Sequence, residues 1–268
     1  MMRLHRPGPA GGGLVVVRNG IVTLTTDFGT VDGFAGALRG AVLGAAPGLR
    51  VVDITHDVPP RSVRDGAFAL RCAAPCFPPG TVHLGVVDPG VGSDRRLLVI
   101  ADHGMQQVYV GPDNGLFSYV LDLARAFETH EIDAVAFPSA SATFHGRDIL
   151  GPVAGRIAGG ADPLAVGPPV AEPLRLPRHV EPMGAREGRV LQVDRFGNLV
   201  TTLRPLGGDV VVDVGGVRVA RHVRCYAELD PGELGWYVGS LGLIEVALRD
   251  DSAARAIQRG LDAPVRLL

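Results

Sequence analysis

The chain has 268 residues with 26 basic against 28 acidic side chains, a formal net charge of −2, and every basic residue is Arg. With no lysine, Schiff-base chemistry, a phosphate-loop lysine and a lysine general base are excluded, and the near-neutral balance lacks the basic excess that nucleic acid or an anionic membrane demands. At 46% hydrophobic and 20% charged, the chain is a globular one long enough for one large or two smaller domains.

The N-terminal stretch is expected to be a flexible tail over residues 1–19, because its apolar run, Leu14–Val17, is too short for a signal peptide or a membrane span. A cytoplasmic protein is the expectation. Ile21–Leu24 predicts a strand, Phe34–Ala46 a helix stopped by Pro47-Gly48, Leu49–Asp53 a strand and Val63–Cys72 a helix. Thr81–Val87, Leu97–Ala101 and Gln107–Val110 read as strands, then Gly115–Phe127 and Arg147–Ala158 as helices. This alternation predicts an N-terminal α/β domain, residues 20–165, with a largely parallel central sheet. A proline-rich linker is expected over 166–187. Short strands at Arg189–Val193, Leu199–Leu203, Val210–Val214, Val217–Ala220, Trp236–Val238 and Leu243–Leu248 predict a small C-terminal β-barrel, residues 188–268.

Three acidic glycine turns stand out: Thr26-Asp27-Phe28-Gly29, Val87-Asp88-Pro89-Gly90 and Asp194-Arg195-Phe196-Gly197-Asn198. The first two follow strands whose carboxyl ends are where open α/β sheets bind ligands. A carboxylate there suits a vicinal diol, since each oxygen can accept one hydroxyl; Asp is equally common as a plain turn residue. Gly90 and Gly92 lack the third glycine of a dinucleotide fingerprint. No metal site is predicted: His145 and Asp148 have helix-ligand spacing, yet no second matched histidine accompanies them. Cys72, Cys76 and Cys225 read as buried free thiols, and His83, His130, His179 and His222 as structural. His56 is expected to hold the loop after the second strand.

Ile21–Gly29, Asp53–Pro60, Val86–Arg96, Gly111–Phe117, Thr143–Pro152, Val193–Thr201 and Ser240–Ala247 together resemble the S-adenosylmethionine hydrolase family, the adenosine-forming hydroxide adenosyltransferases related to fluorinating and chlorinating enzymes. The resemblance implies an α/β domain followed by a β-barrel, and a homotrimer with active sites between subunits. It implies a small-molecule substrate and no cofactor. It makes Asp88, Arg95 and His145 the set that holds the attacking water, and Asp27 the clasp on the ribose diol. Asp194 and Asn198 would bind the methionine portion with Ser240 and Glu245, while Phe28, Phe196 and the backbone at Leu248 would line the substrate. A chlorinase and a non-catalytic nucleoside-binding protein are the alternatives. Against the first, Asp88 would repel a halide, His145 stands where halogenases carry Tyr, and Arg61 where fluorinases carry a pocket aromatic. Ser62 and Arg249 depart from the family pattern, where Asp and, near the adenine, Asn are expected.

Overall fold

A computed structural model describes residues 19–177, 186–208 and 210–268. The expected tail, apart from Asn19, and His179 within the expected linker lie outside the described residues. The chain divides into two compact units, residues 1–174 and 175–268. Among the described residues no helix is long and apolar enough to cross a membrane.

The first unit holds β1 (Ile21–Thr26), α1 (Phe34–Ala45), β2 (Arg50–Thr55), α2 (Val63–Ala73), β3 (Val82–Val86), β4 (Leu97–Asp102), β5 (Gln107–Pro112), α3 (Ser118–Leu121), β6 (Phe127–Glu131) and α4 (Gly151–Gly159). Its six strands lie in the order β2-β1-β3-β5-β4-β6. The pairs β2/β1, β1/β3 and β3/β5 are parallel, whereas β4 runs antiparallel to both neighbours. Side chains alternate across the sheet with the period of two that strands impose. Val22, Leu24, Leu84 and Val99 face Leu38, Val42, Val153 and Ile157 of α1 and α4. On the opposite face Leu98, Ile100 and Tyr109 meet Leu70, Val120 and Leu121 of α2 and α3.

This layering creates a switch point. The chain leaves β1 towards β2 over one face and returns to β3 over the other, so the carboxyl ends of β1 and β3 open a crevice. Thr26 pairs with Val86, and Asp27 and Asp88 follow within two residues of those partners.

The second unit holds β7 (Glu187–Val193), β8 (Leu199–Thr201), β9 (Val212–Val214), β10 (Val217–Val219), β11 (Leu234–Val238), β12 (Ile244–Leu248), α5 (Ala253–Ala256) and β13 (Pro264–Leu267). The strands follow the order β10-β9-β13-β7-β8-β12-β11 with antiparallel neighbours. The segment just after β10 reaches across to β11: Val223 N–H donates to Trp236 O at 3.0 Å and Trp236 N–H to Arg221 O at 2.9 Å. The result is a nearly closed barrel around Leu199, Val212, Trp236, Val246 and Val265. Cross-strand pairs Glu187–Arg266, Arg266–Asp213 and Asp213–Arg218 set alternating charges side by side on its surface.

Several expectations need correction. The helix predicted over Gly115–Phe127 shrinks to the single turn α3, and Phe127 opens β6 instead. Polar Phe-Glu-Thr-His-Glu gives no apolar alternation, yet it forms an edge strand because Pro168 O and Thr129 O each take a backbone N–H across to residues 166–170. The helix predicted from Arg147 begins as a π turn, Gly146–Leu150, before α4. The three cysteines are free, but Cys76 and Cys225 are exposed and Cys72 half-buried, so they are not core thiols. His130 lies within β6, its Nδ1 2.8 Å from Gly167 O.

Candidate active site

Asp27 and Phe28 leave β1 just past a register shift between Leu24 and Thr25, the kind of bulge that re-aims side chains beside functional sites. Asp27 Oδ2 accepts the Arg61 N–H at 2.7 Å. Arg61 holds the left-handed conformation, φ 67°, that side chains bearing a Cβ seldom adopt. It is therefore a backbone donor to Asp27. The ring of Phe28 packs edge-on against Phe34 and Phe144, with centroids 6.1 and 5.7 Å apart.

Asp88 follows β3 in a turn closed by Val91 N–H to Asp88 O at 3.2 Å and Ser93 N–H to Gly90 O at 3.1 Å. Arg95 grips its carboxylate with two donors, Nε to Oδ1 at 2.6 Å and Nη2 to Oδ2. The two side chains are 9% and 5% exposed, so this bidentate pair is shielded from water. Gly92 permits the loop to lie against its neighbour: at φ +82°, an added Cβ would meet the Ala142 carbonyl oxygen at 2.5 Å.

That neighbour carries His145, the residue before the π turn. Asp148 fastens its loop by accepting Ser141 N–H at 2.8 Å and pairing with Arg147. Arg95 Nη2 lies 3.2 Å from His145 Nδ1. A guanidinium can only donate, so Nδ1 is the acceptor and the imidazole's own proton sits on Nε2. Burial, then the Arg95 charge, lower the His145 pKa below its ordinary value, against the opposing pull of Asp88 and Asp148. Asp88, Arg95 and His145 thus form one contiguous cluster: a carboxylate with lone pairs to spare, a fixed cation and a neutral imidazole.

In the second unit, Asp194 organises the β7–β8 loop. Its Oδ1 accepts the N–H groups of Phe196 and Asn198 at 2.9 and 2.8 Å, and its Oδ2 accepts Asn198 Nδ2 at 2.9 Å. Asn198 is 6% exposed and its Oδ1 has no hydrogen-bond partner among the described residues, whereas Phe196 is 77% exposed. Glu245 on β12 faces Tyr237, its cross-strand partner on β11. Burial raises the Glu245 pKa and the Asp194 charge adds to it, while the hydrogen bond with Tyr237 opposes the rise. The Tyr237 hydroxyl is also pushed above its usual range, by burial first and then by Glu245. Tyr237 escaped sequence reasoning, because only the β11/β12 register sets it opposite Glu245. Ser240 is exposed in the turn before β12, and Leu248 O accepts the Tyr226 hydroxyl at 3.5 Å.

The two departures from the family pattern have structural explanations. Ser62 caps α2: its hydroxyl donates to the Asp65 carboxylate and accepts Asp65 N–H at 3.4 Å. Arg249 Nη1 donates to Ala227 O at 2.7 Å and Leu229 O at 2.6 Å, bracing a turn. Among the described residues no group of three or more His, Cys, Asp or Glu is placed to hold a metal ion.

A three-layer α/β unit with a carboxylate–guanidinium–imidazole cluster at its switch point, followed by a barrel-like unit, defines a two-domain enzyme. Residues 22–167 match the SAM hydroxide adenosyltransferase N-terminal domain and residues 188–266 the C-terminal domain of the same family. The chain belongs to the SAM hydroxide adenosyltransferase family. It is 42% identical over 260 residues to the (R)-S-adenosyl-L-methionine hydrolase of Thermus thermophilus, spanning 92% of this chain and 99% of that one. It is 41% identical to the enzyme of the same name from Salinispora tropica, spanning 87% and 92%. A crystal structure of an uncharacterized conserved protein from Thermotoga maritima superposes with a TM-score of 0.84 at 30% identity, covering 92% of this chain and all of that one. Fluorinases stand further off, at 24% identity to that of an Actinoplanes species over 69% of this chain and 72% of that one.

Proposed function

We propose that this chain hydrolyses S-adenosyl-L-methionine by attack of water on ribose C5′, releasing adenosine and L-methionine. Its curated relatives at 37–42% identity carry the name (R)-S-adenosyl-L-methionine hydrolase, and the configuration in that name is the sulfonium configuration we assign to the substrate. The observation that carries the mechanism is the buried Asp88–Arg95 pair with His145 set against it.

The C5′–S bond breaks, a C5′–O bond forms, and one water proton is released. The departing sulfur takes the electron pair and becomes neutral, so no general acid is needed. What remains is to align and activate one oxygen. An Asp88 lone pair not engaged by Arg95 accepts a proton-bearing hydrogen bond from the water. The Nε2–H of His145 donates to the same oxygen, which leaves a lone pair directed at C5′. Arg95 cannot act as a base; it fixes Asp88 and steadies hydroxide-like charge. Asp27 accepts the ribose hydroxyls, with Phe28 beside the sugar. Asp194, Asn198, Ser240 and Glu245 receive the methionine portion, and Phe196 and Leu248 flank it. No metal or redox group has a task in this scheme.

The assembly we propose is a homotrimer whose neighbouring subunits complete each site. Free thiols suit a reducing setting, in keeping with a cytoplasmic enzyme. Incubation with each sulfonium epimer, followed by chromatography, should show equal adenosine and methionine from the R form. A folded sample that releases neither overturns the proposal, and 5′-chloro-5′-deoxyadenosine at high chloride would reassign it to halide transfer.

A further inference from the structure

The loop that presents Asp27 is held from below by a chain of side chains. Thr26, fully buried, places its hydroxyl 2.8 Å from His56 Nδ1 and accepts the Phe28 N–H at 3.2 Å. His56 is itself 6% exposed. Its Nε2 lies 3.2 Å from Asp53 Oδ1, off the line of a well-formed hydrogen bond, and Asp53 is paired with Arg39 of α1. The backbone adds two further ties: Gly29 N–H donates to His56 O at 2.7 Å, and Val58 N–H to Thr26 O at 3.3 Å. Residues 26–29 and 56–61 are therefore tied together by backbone and side-chain hydrogen bonds.

The direction of these bonds follows from the donor inventory. With the Asp53 carboxylate beside Nε2, the favoured neutral tautomer carries its proton there, leaving Nδ1 to accept the Thr26 O–H. The Thr26 oxygen is then free to accept from Phe28. The bonds then run in one sense, from the Phe28 amide through Thr26 to His56, with the Asp53 charge beside Nε2. A hydroxyl–imidazole–carboxylate series resembles a nucleophile triad, but the Thr26 oxygen is sealed from any substrate, so it has no covalent task.

The geometry points to His56 as a positioning residue for the ribose: through Nδ1 and Thr26 it fixes the Asp27–Phe28 turn that clasps the diol. This rests on the reading that Asp27 binds the two ribose hydroxyls. His56 is buried behind Thr26, so its removal should weaken diol binding and leave the Asp88 chemistry in place. It should act on KM far more than on kcat.

The test compares His56→Ala, His56→Asn and His56→Gln on S-adenosyl-L-methionine and on its analogue lacking both ribose hydroxyls. Asn returns an acceptor near the Nδ1 position, and Gln places its polar group near Nε2. On the natural substrate His56→Ala should raise KM roughly tenfold, the worth of about one buried hydrogen bond, with kcat changed less than about threefold. On the analogue the same variant should match the wild type within about twofold, and Asn, not Gln, should recover the natural KM. Equal losses on both substrates, or no loss on either, overturn the role of His56. Should His56→Ala fail to fold, the Asn–Gln contrast decides alone, and indistinguishable values overturn the proposal. A wild type that turns over both substrates equally removes the Asp27 reading itself, and the positioning role falls with it.

Discussion

Arg95 Nη2 stands 3.2 Å from His145 Nδ1 while the same guanidinium holds both oxygens of Asp88. One cation thereby sets the tautomer of the imidazole and the orientation of the carboxylate. Neither partner can be altered without disturbing the other, and the pair should fail as a unit rather than additively.

Asp88→Asn keeps the shape and one acceptor oxygen but loses the charge that, in the proposed mechanism, receives the water proton. Adenosine release should fall by roughly 10²- to 10⁴-fold in kcat, the usual worth of a positioned general base. Substrate affinity by calorimetry should change little. Equal adenosine release from wild type and variant would remove Asp88 from the mechanism.

The titration of His145 offers signs rather than sizes. Burial and Arg95 lower its pKa, while Asp88 and Asp148 raise it. Imidazole NMR should therefore place the wild-type midpoint below the ordinary value near 6.5. Arg95→Gln should move it up and Asp88→Asn further down. The proposed mechanism uses the neutral ring, so the acid limb of the rate profile should follow the wild-type midpoint, with activity lost as pH falls through it.

His83 gives a separate acid dependence, of stability. It is fully buried in β3, stacked on Tyr109 at 5.2 Å, with Nδ1 2.7 Å from the Thr23 hydroxyl. Burial lowers its pKa to about 4 from an ordinary 6.5. Between those values the unfolded chain binds a proton that the folded chain refuses, so stability falls as pH drops through that window. The integrated loss is ~3 kcal/mol. Denaturant midpoints from pH 7 to 4 should show this slope, and His83→Gln should flatten it while lowering the starting value.

Gly197 sits at φ +84° in the Asp194 loop, where an added Cβ would come within 2.8 Å of Ser252 Cα. Gly197→Ala should cost about 1–3 kcal/mol of stability, seen as a lower melting temperature. KM should rise as well, since the Asp194 and Asn198 contacts depend on that turn. An unchanged KM in a folded variant would place the methionine portion elsewhere.

The parts of the site that follow β1 and β3 were legible because local pattern sufficed: a buried β-branched run, then an acidic glycine turn. The pattern marked the two turns; the roles of Asp27 and Asp88 came from the family resemblance, since an acidic glycine turn by itself is more often a plain turn. Tyr237 was not legible, since what sets it opposite Glu245 is a register between strands, and register is a property of pairing. β6 was missed for the same reason: its Glu and His residues form a strand through pairing with β4 on one edge and with residues 166–170 on the other. The role of Arg61 escaped as well, for it acts through a backbone N–H that carries no residue signature.

The π turn between Gly146 and Leu150 closes with Gly151 N–H donating to Gly146 O, five residues back instead of four. One surplus residue is thus lodged between His145 and the buried face of α4. Each residue of a helix advances the azimuth by about 100°, so the surplus acts as a fixed angular offset. Val153 and Ile157 stay locked against the sheet while the imidazole is dialled to a bearing that an unbroken helix would deny it. Excising a single residue from this turn would keep the core in place and swing His145 away from Arg95.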